Sequence, residues 1–353
     1  MTGCESRARA RTAVRRAARA ALAALMAAGM VVAPGFPAGA AGASSCAVPA
    51  PPAAPLRVEG FYGDAQHSVV DPARRAAHDA AVAPYEAFVR QIAEGADAYR
   101  GRGDAAAGRC ALDRLAGWAR AGALTQALAP GQAQYERNWY LASLALAYLK
   151  LKPLATSDDR AVVEGWLSAI AARTAAFVDG RARPGNNLLY WAGLALAASA
   201  LATGDAGLEA RADAILAEGL AAIRPDGTLP AEMARGGKAL AYHAFAAEPL
   251  VALATIALAR GKAPATDLAP LRALVGRVVA GVADPAFFVA RAGAPQERPA
   301  EWSLAFLDLY AAMAPGVVLP PHGTRTHFLG GDVAGTLAAI REQAGGEGTT
   351  RRH

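Results

Sequence analysis

A chain of 353 residues can bury a substantial core, as one large domain or two. Alanine and leucine dominate, β-branched runs are short, and the apolar stretches are too long and too Ala-rich for strands, so the composition predicts helices. The formal charge of +6 comes almost wholly from residues 1–43, which hold six arginines against Glu5; the remainder is close to neutral, which excludes a global nucleic-acid surface and leaves any anion site to a local groove.

Arg7, Arg9, Arg11, Arg15, Arg16 and Arg19 form a basic region, Ala20 to Val32 an apolar stretch, and Ala38 to Ala43 a run of small residues. That is the pattern of a secretory signal cut after Ala41 or Ala43, so the expected product is periplasmic or secreted, with residues 44–353 as a single domain. The apolar run is short for a membrane anchor, and no later segment offers about 18 uncharged apolar residues, so no transmembrane helix is predicted. Cys4 leaves with the signal, and Cys46 and Cys110 remain as an even pair in an oxidising compartment. A disulfide between them would clip the Pro49–Pro55 segment to the helix carrying Cys110; two unrelated thiols are the other reading.

Asp71–Ala96 has helical periodicity, with Val82, Tyr85, Phe88, Val89 and Ile92 as its apolar stripe. Arg109–Gln126 repeats the pattern with Leu112, Leu115, Trp118 and Ala119. Helices follow over Ala133–Leu151, Asp158–Asp179, Leu189–Ala202, Leu208–Ile223, Lys238–Arg260 and Leu268–Val282, divided by short Gly, Pro and Asp breakers. Strand is expected only near Gly227–Pro230 and Val317–Pro320. Short turns between successive helices predict antiparallel neighbours, and no signature recurs at fixed spacing. The expected fold is all-α, helical hairpins curling into a barrel or solenoid.

Two stretches look unlike scaffold. In Asn186-Asn187-Leu188-Leu189-Tyr190-Trp191, Asn187 is placed to cap the helix that follows. Two amides beside two aromatic rings also make a platform for sugars. In Leu229-Pro230-Ala231-Glu232-Met233-Ala234-Arg235-Gly236-Gly237, the glycines loosen the backbone, so Arg235 is expected in a turn ahead of the helix bearing Tyr242 and His243. An arginine there can hold a carboxylate and favour phenolate; a surface arginine and a core tyrosine are the plainer readings. No HExxH, paired Cys-x-x-Cys, phosphate loop or Gly-x-Ser-x-Gly elbow is present, so no metal or cofactor is expected. Asp226 and Glu232 as a glycosidase pair is a weaker reading, because Asp226-Gly227 reads as a turn and Glu232 as structural or groove-facing. His67 lies in a Tyr62–Asp71 loop with the reach of a lid, while His322 and His327 sit near a polar tail.

Asn-Asn-x-x-Tyr-Trp, followed by Leu-Pro-x-Glu, an arginine, and a tyrosine seven residues beyond it in Tyr242-His243-Ala244-Phe245-Ala246, resembles the core of the alginate (poly-mannuronate) lyase family. The likeness is strongest over Asn186–Leu250 and weaker through Arg137-Asn138-Trp139, the Cys110–Trp118 helix and Glu301-Trp302. The paired cysteines also resemble a disulfide seen in some members. The resemblance implies an α/α-toroid, an anionic uronate polymer as partner, a monomer, and metal-free β-elimination. It makes Tyr242 the base and acid, with Asn187 and Arg235 neutralising the uronate carboxylate. Asn186, Tyr190, Trp191, Trp139 and His243 become expected substrate contacts. Where family members carry histidine after the second asparagine, this chain has Leu188. The alternative is therefore a non-catalytic polysaccharide-binding protein on the same fold.

Overall fold

Helices begin where the sequence supplies caps. Asp71 accepts from the main-chain N–H of Ala73 and Arg74, with Pro72 at the first helical position, and Thr156 and Asp159 form a reciprocal capping box. The computed structural model describes residues 46–180, 185–261 and 268–350, with side chains as far as residue 346. The expected signal over residues 1–43 lies outside the described residues, as do Arg183 and Pro184.

In chain order the helices are α1 (Pro72–Arg102), α2 (Ala105–Arg120), α3 (Gln132–Leu151), α4 (Ser157–Asp179), α5 (Asn187–Thr203), α6 (Ala206–Ala222), the single turn α7 (Pro230–Met233), α8 (Ala239–Ala259), α9 (Ala269–Ala283), α10 (Ala286–Ala292), α11 (Leu307–Met313) and α12 (Val333–Thr350). Consecutive pairs make hairpins. One member of each, α1, α3, α5 and α8, packs against the corresponding member of the next, while α2, α4, α6 and α9 lie outside them. Helix α12 touches all four inner helices and fills the middle of the ring. The arrangement is the α/α-toroid expected. Inner helices are enclosed on every side, so α5 and α8 are buried along almost their whole length and show no amphipathic stripe.

The ring's C-terminal end is pinned by a buried cation. Lys150 of α3 donates to Asp97 of α1 at 2.7 Å and to the carbonyls of Gly330 and Asp332 at 2.8 Å each. The other Asp97 oxygen accepts from Arg325 at 2.7 Å and from Asp332 N–H at 2.9 Å. A buried charge is tolerated because every partner is present. Gly330, at φ 76°, lies so close to α3 that a Cβ would stand 2.8 Å from Ala147 N.

Helix cores match the expected spans, with ends displaced by a few residues. Strand does not. The pair lies at β1 (Arg325–Thr326) and β2 (Gly331–Asp332), antiparallel, rather than near Gly227 or Val317. Asp226 instead closes a turn by accepting from Thr228, and Val318 stays exposed. The tail holding His327 is not a polar appendage; it leads into α12. Contrary to the sequence expectation, Ser157–Asp179 and Gly236–Ala259 are long and apolar enough to cross a membrane, although the latter is 83% buried inside the ring.

Cys46 and Cys110 form a disulfide, with Cα atoms 5.4 Å apart. It clips the N-terminal segment onto α2, where Trp118 Nε1 donates to Pro49 O at 2.8 Å and Arg114 to Ala47 O at 2.9 Å. Mass mapping of the unreduced protein is expected to recover the 46–110 crosslink. Cys110→Ser is expected to lower stability by about 2–4 kcal/mol, read by urea denaturation; free thiols at both positions would overturn the assignment.

Candidate functional site

The inner helices start at one rim. His78, early in α1, bonds Glu136, early in α3, at 2.8 Å, and Trp139 and Trp191, early in α3 and α5, both pack on Phe245 of α8. Four helix N-termini therefore face the same groove, a favourable setting for an anion.

At this rim Asn186 caps α5, accepting from Leu188 N–H at 3.0 Å. Asn187 then donates twice to Glu232 of α7, from its main-chain N at 3.0 Å and its Nδ2 at 2.9 Å. Both residues are inaccessible to water. Burial raises the Glu232 pKa, against the opposing pull of the Asn187 hydrogen bonds and Arg235. Arg235 Nε lies 3.8 Å from the second Glu232 oxygen. Its guanidinium sits over the Tyr242 ring, 4.6 Å from the centroid.

The Tyr242 hydroxyl bonds the Tyr62 hydroxyl at 2.7 Å. Burial raises its pKa, the Tyr62 phenol adds to that, and Arg235 only partly opposes it. The loop bearing Tyr62 lies down over the site, with Gln66 O accepting from Arg235 Nη1 at 3.4 Å. From Tyr242 an aromatic floor runs through Phe245 and Phe328 to Trp302, which stacks on Phe328 and remains 46% exposed. At its far end an open cleft of about 190 Å³ is lined by Trp302, Arg90, Arg325 and His327, among others. Tyr242 does not line that cleft; the 61–71 loop lies over this residue, with Tyr62 on its hydroxyl.

The alginate lyase family model matches residues 62–288, a range that begins at Tyr62 and takes in Asn187, Arg235 and Tyr242. The chain belongs to the alginate lyase family. It is a polysaccharide lyase by that membership. It is 36% identical over 313 residues to a polysaccharide lyase of Stenotrophomonas maltophilia, covering 86% of this chain and 94% of that protein. It is 33% identical over 247 residues to an alginate lyase of Pseudomonas syringae pv. syringae, and there it spans 64% of the relative's length. Among solved structures, alginate lyase A1-III in complex with a tetrasaccharide superposes with a TM-score of 0.73 at 24% identity, covering 84% of this chain and 86% of that one. A1-III from Sphingomonas species A1 gives 0.70. Both show the same toroid.

The candidate site differs from the sequence expectation in four ways. The cap of α5 is Asn186, not Asn187, so the Asn186 carbonyl oxygen is committed to the backbone. Tyr190 and Trp191 are core residues at 1% and 0% exposure; Tyr190 wedges beside Gly219, whose Cβ would meet its ring at 3.1 Å, and Trp191 supports the floor from beneath. Trp139 is only partly buried and borders the floor. His243 turns away from the groove, donating from Nδ1 to Ala239 O at 2.7 Å and accepting Leu229 N–H on Nε2 at 2.9 Å. Sequence reasoning missed Tyr62 as the partner of Tyr242, and Phe245, Phe328 and Trp302 as the floor.

Burial pushes the His243 imidazole down to about 4. The unfolded chain takes up that proton near pH 6.5, so between these values the unfolded state binds more protons and stability falls on acidification. The contribution lost from pH 7 to pH 4 is about 3 kcal/mol. His243→Gln is expected to show a correspondingly flatter decline in urea denaturation across that range; parallel curves for the two proteins would refute the assignment.

Proposed function

We propose that the protein is an exported lyase that cleaves a uronate polymer, alginate, poly-mannuronate or a related polyuronate, by β-elimination. Tyr242 transfers the protons, and Arg235 and Asn187 neutralise the uronate carboxylate. One observation carries this reading: Arg235 lies over the Tyr242 ring while Glu232 ties it to Asn187. A cation, an amide and a phenol thus converge at one rim.

The C5 proton of a uronate is weakly acidic, and its removal drives charge onto the adjacent carboxylate. Donors already fixed toward that position lower the barrier without reorganising. Arg235 offers a planar fork for a carboxylate, and Asn187, 1% exposed with its Nδ2 on Glu232, reinforces that fork from beneath. With the loop down, burial and the Tyr62 contact keep the phenol protonated. Lifting the loop weakens both influences and leaves Arg235, which favours phenolate, against the smaller opposing charge of Glu232. Phenolate then accepts the C5 proton, the C4–O bond breaks, and the phenol so formed protonates the leaving oxygen. Residues 1–43 are proposed as the export signal, in keeping with a disulfide suited to an oxidising compartment.

Leu188 favours a second reading, a polysaccharide-binding protein that does not cut. A screen on mannuronate-, guluronate- and glucuronate-rich polymers separates the two by ultraviolet absorbance of the unsaturated product. Absorbance is expected, and binding without it would favour the second reading. Tyr242→Phe is expected to lower turnover by about 10²–10⁴-fold while retaining polymer binding, and Arg235→Lys to lose much of the activity because a point charge does not replace a fork. Leu188→His is expected to raise activity on mannuronate blocks; unchanged turnover there would point to a different polyuronate.

A further inference from the structure

We propose that the open cleft at the far end of the aromatic floor is a second carboxylate clamp. In it Arg90 and Arg325 hold a uronate residue remote from the bond that is cut, and Trp302 carries its ring. This rests on the lyase reading and adds to it a binding site and a chain-length requirement.

Arg325 is built into place. Strand β1 sets it opposite Asp332, and its Nη2 donates to Asp97 at 2.7 Å. Asp97 also accepts from Lys150, so one carboxylate faces two cations and a positive charge is left over. Lys150 is sealed inside the ring while Arg325 is 55% exposed, so the surplus is presented at the cleft. The rest of the Arg325 fork has no hydrogen-bond partner among the described residues, which leaves donors for a ligand.

Arg90 of α1 lines the same cleft. It donates to Glu86, one turn back, at 2.8 Å; an exposed pair of that kind is weak and yields to a ligand carboxylate. Glu94 is the one carboxylate of the lining, against two guanidinium groups. His327 completes it. Burial and then Arg90 lower its pKa, with Glu86 opposing, so the ring is neutral at neutral pH. One nitrogen then donates to a sugar hydroxyl and the other accepts from one.

Trp302 supplies the apolar side, stacked on Phe328 at 5.7 Å with planes 29° apart. An open aromatic face beside fixed polar donors matches the two sides of a pyranose, and about 190 Å³ has room for one sugar ring. From Tyr242 the floor reaches the cleft in three ring-to-ring steps of 6.3, 6.2 and 5.7 Å. Each step is close to the length of one sugar unit. No lining residue belongs to the 61–71 loop, so the clamp is the same with the loop down or lifted. A uronate at Tyr242 and another in the cleft therefore belong to one chain, and oligomers too short to span the floor lose the second clamp.

The test compares trimers, too short to span, with octamers of mannuronate, guluronate and glucuronate. For Arg90→Gln and Arg325→Gln, Kd is measured by calorimetry in the Tyr242→Phe background and kcat/KM in the otherwise unaltered protein. Octamers are expected to be preferred over trimers, and each substitution to cut that preference by about 10- to 100-fold in both measurements. Arg90→Gln breaks only a surface pair, so it decides the matter if Arg325→Gln unsettles the Asp97 network. Equal treatment of trimer and octamer by the parent protein, or a preference that neither substitution lowers, overturns the clamp and leaves the lyase reading standing. A preference that depends on the arginines, with no unsaturated product, overturns the lyase reading and leaves the clamp. Failure to bind any of the three octamers overturns both.

Discussion

Glu232 is sealed from water, yet both its oxygens are engaged: Asn187 donates to it from main chain and side chain, and Arg235 stands 3.8 Å away. Leaving such a group unpartnered would cost about 1–3 kcal/mol or more, so the start of α5 and the turn before α8 are held to one another. Everything at the rim follows from that tie. Asn187 cannot rotate its amide without breaking it, and Arg235 cannot swing to the surface without abandoning a buried carboxylate. A proton on Glu232, which burial favours, removes one acceptor position rather than the whole anchor.

The ring supplies the field around that anchor. Because the inner helices all begin at the groove, their N-terminal dipoles add to Arg235 and offset the charge of Glu232. That lets a chain that is near neutral outside residues 1–43 present a local anion site. The same rim explains the closed loop. Phe61 packs edge-on to His78 at 4.9 Å, and His78 is bonded to Glu136. The base of the loop is thereby keyed to the second turns of α1 and α3, while its tip rests on Arg235.

The hairpin architecture was legible because helix length and breakers survive in the sequence as alternating periodic and Gly/Pro/Asp segments. Arg235 in a turn and Tyr242 on the following helix were legible for the same reason. Trp191 was not. An inner helix such as α5 is apolar all round, so nothing in the pattern says which aromatic faces the groove and which faces the core. Choosing between Asn186 and Asn187 as cap depends on a single backbone dihedral at the helix start, which composition does not encode. The Tyr62–Tyr242 pair spans 180 residues, and only the curling of the hairpins brings it together. The Tyr62–Asp71 loop was legible as a segment with the reach of a lid; its knot on Asp64 and its seat on Arg235 were not.

On the proposed lyase reading, the closed loop occupies the positions that a uronate would need. Gln66 offers a carbonyl oxygen to Arg235 at 3.4 Å, longer than a good N–H···O bond of about 2.9 Å. Tyr62 offers a hydroxyl to Tyr242 where the leaving oxygen of a substrate would accept a proton. A carboxylate is the better acceptor for guanidinium, since charge-assisted bonds are roughly twice as strong as neutral ones. On the lyase reading, an incoming uronate therefore displaces the Gln66 carbonyl, and the Tyr62–Tyr242 bond loses its support at the same moment. The loop needs no separate trigger: the groups that hold it down are those that bind the polymer more strongly.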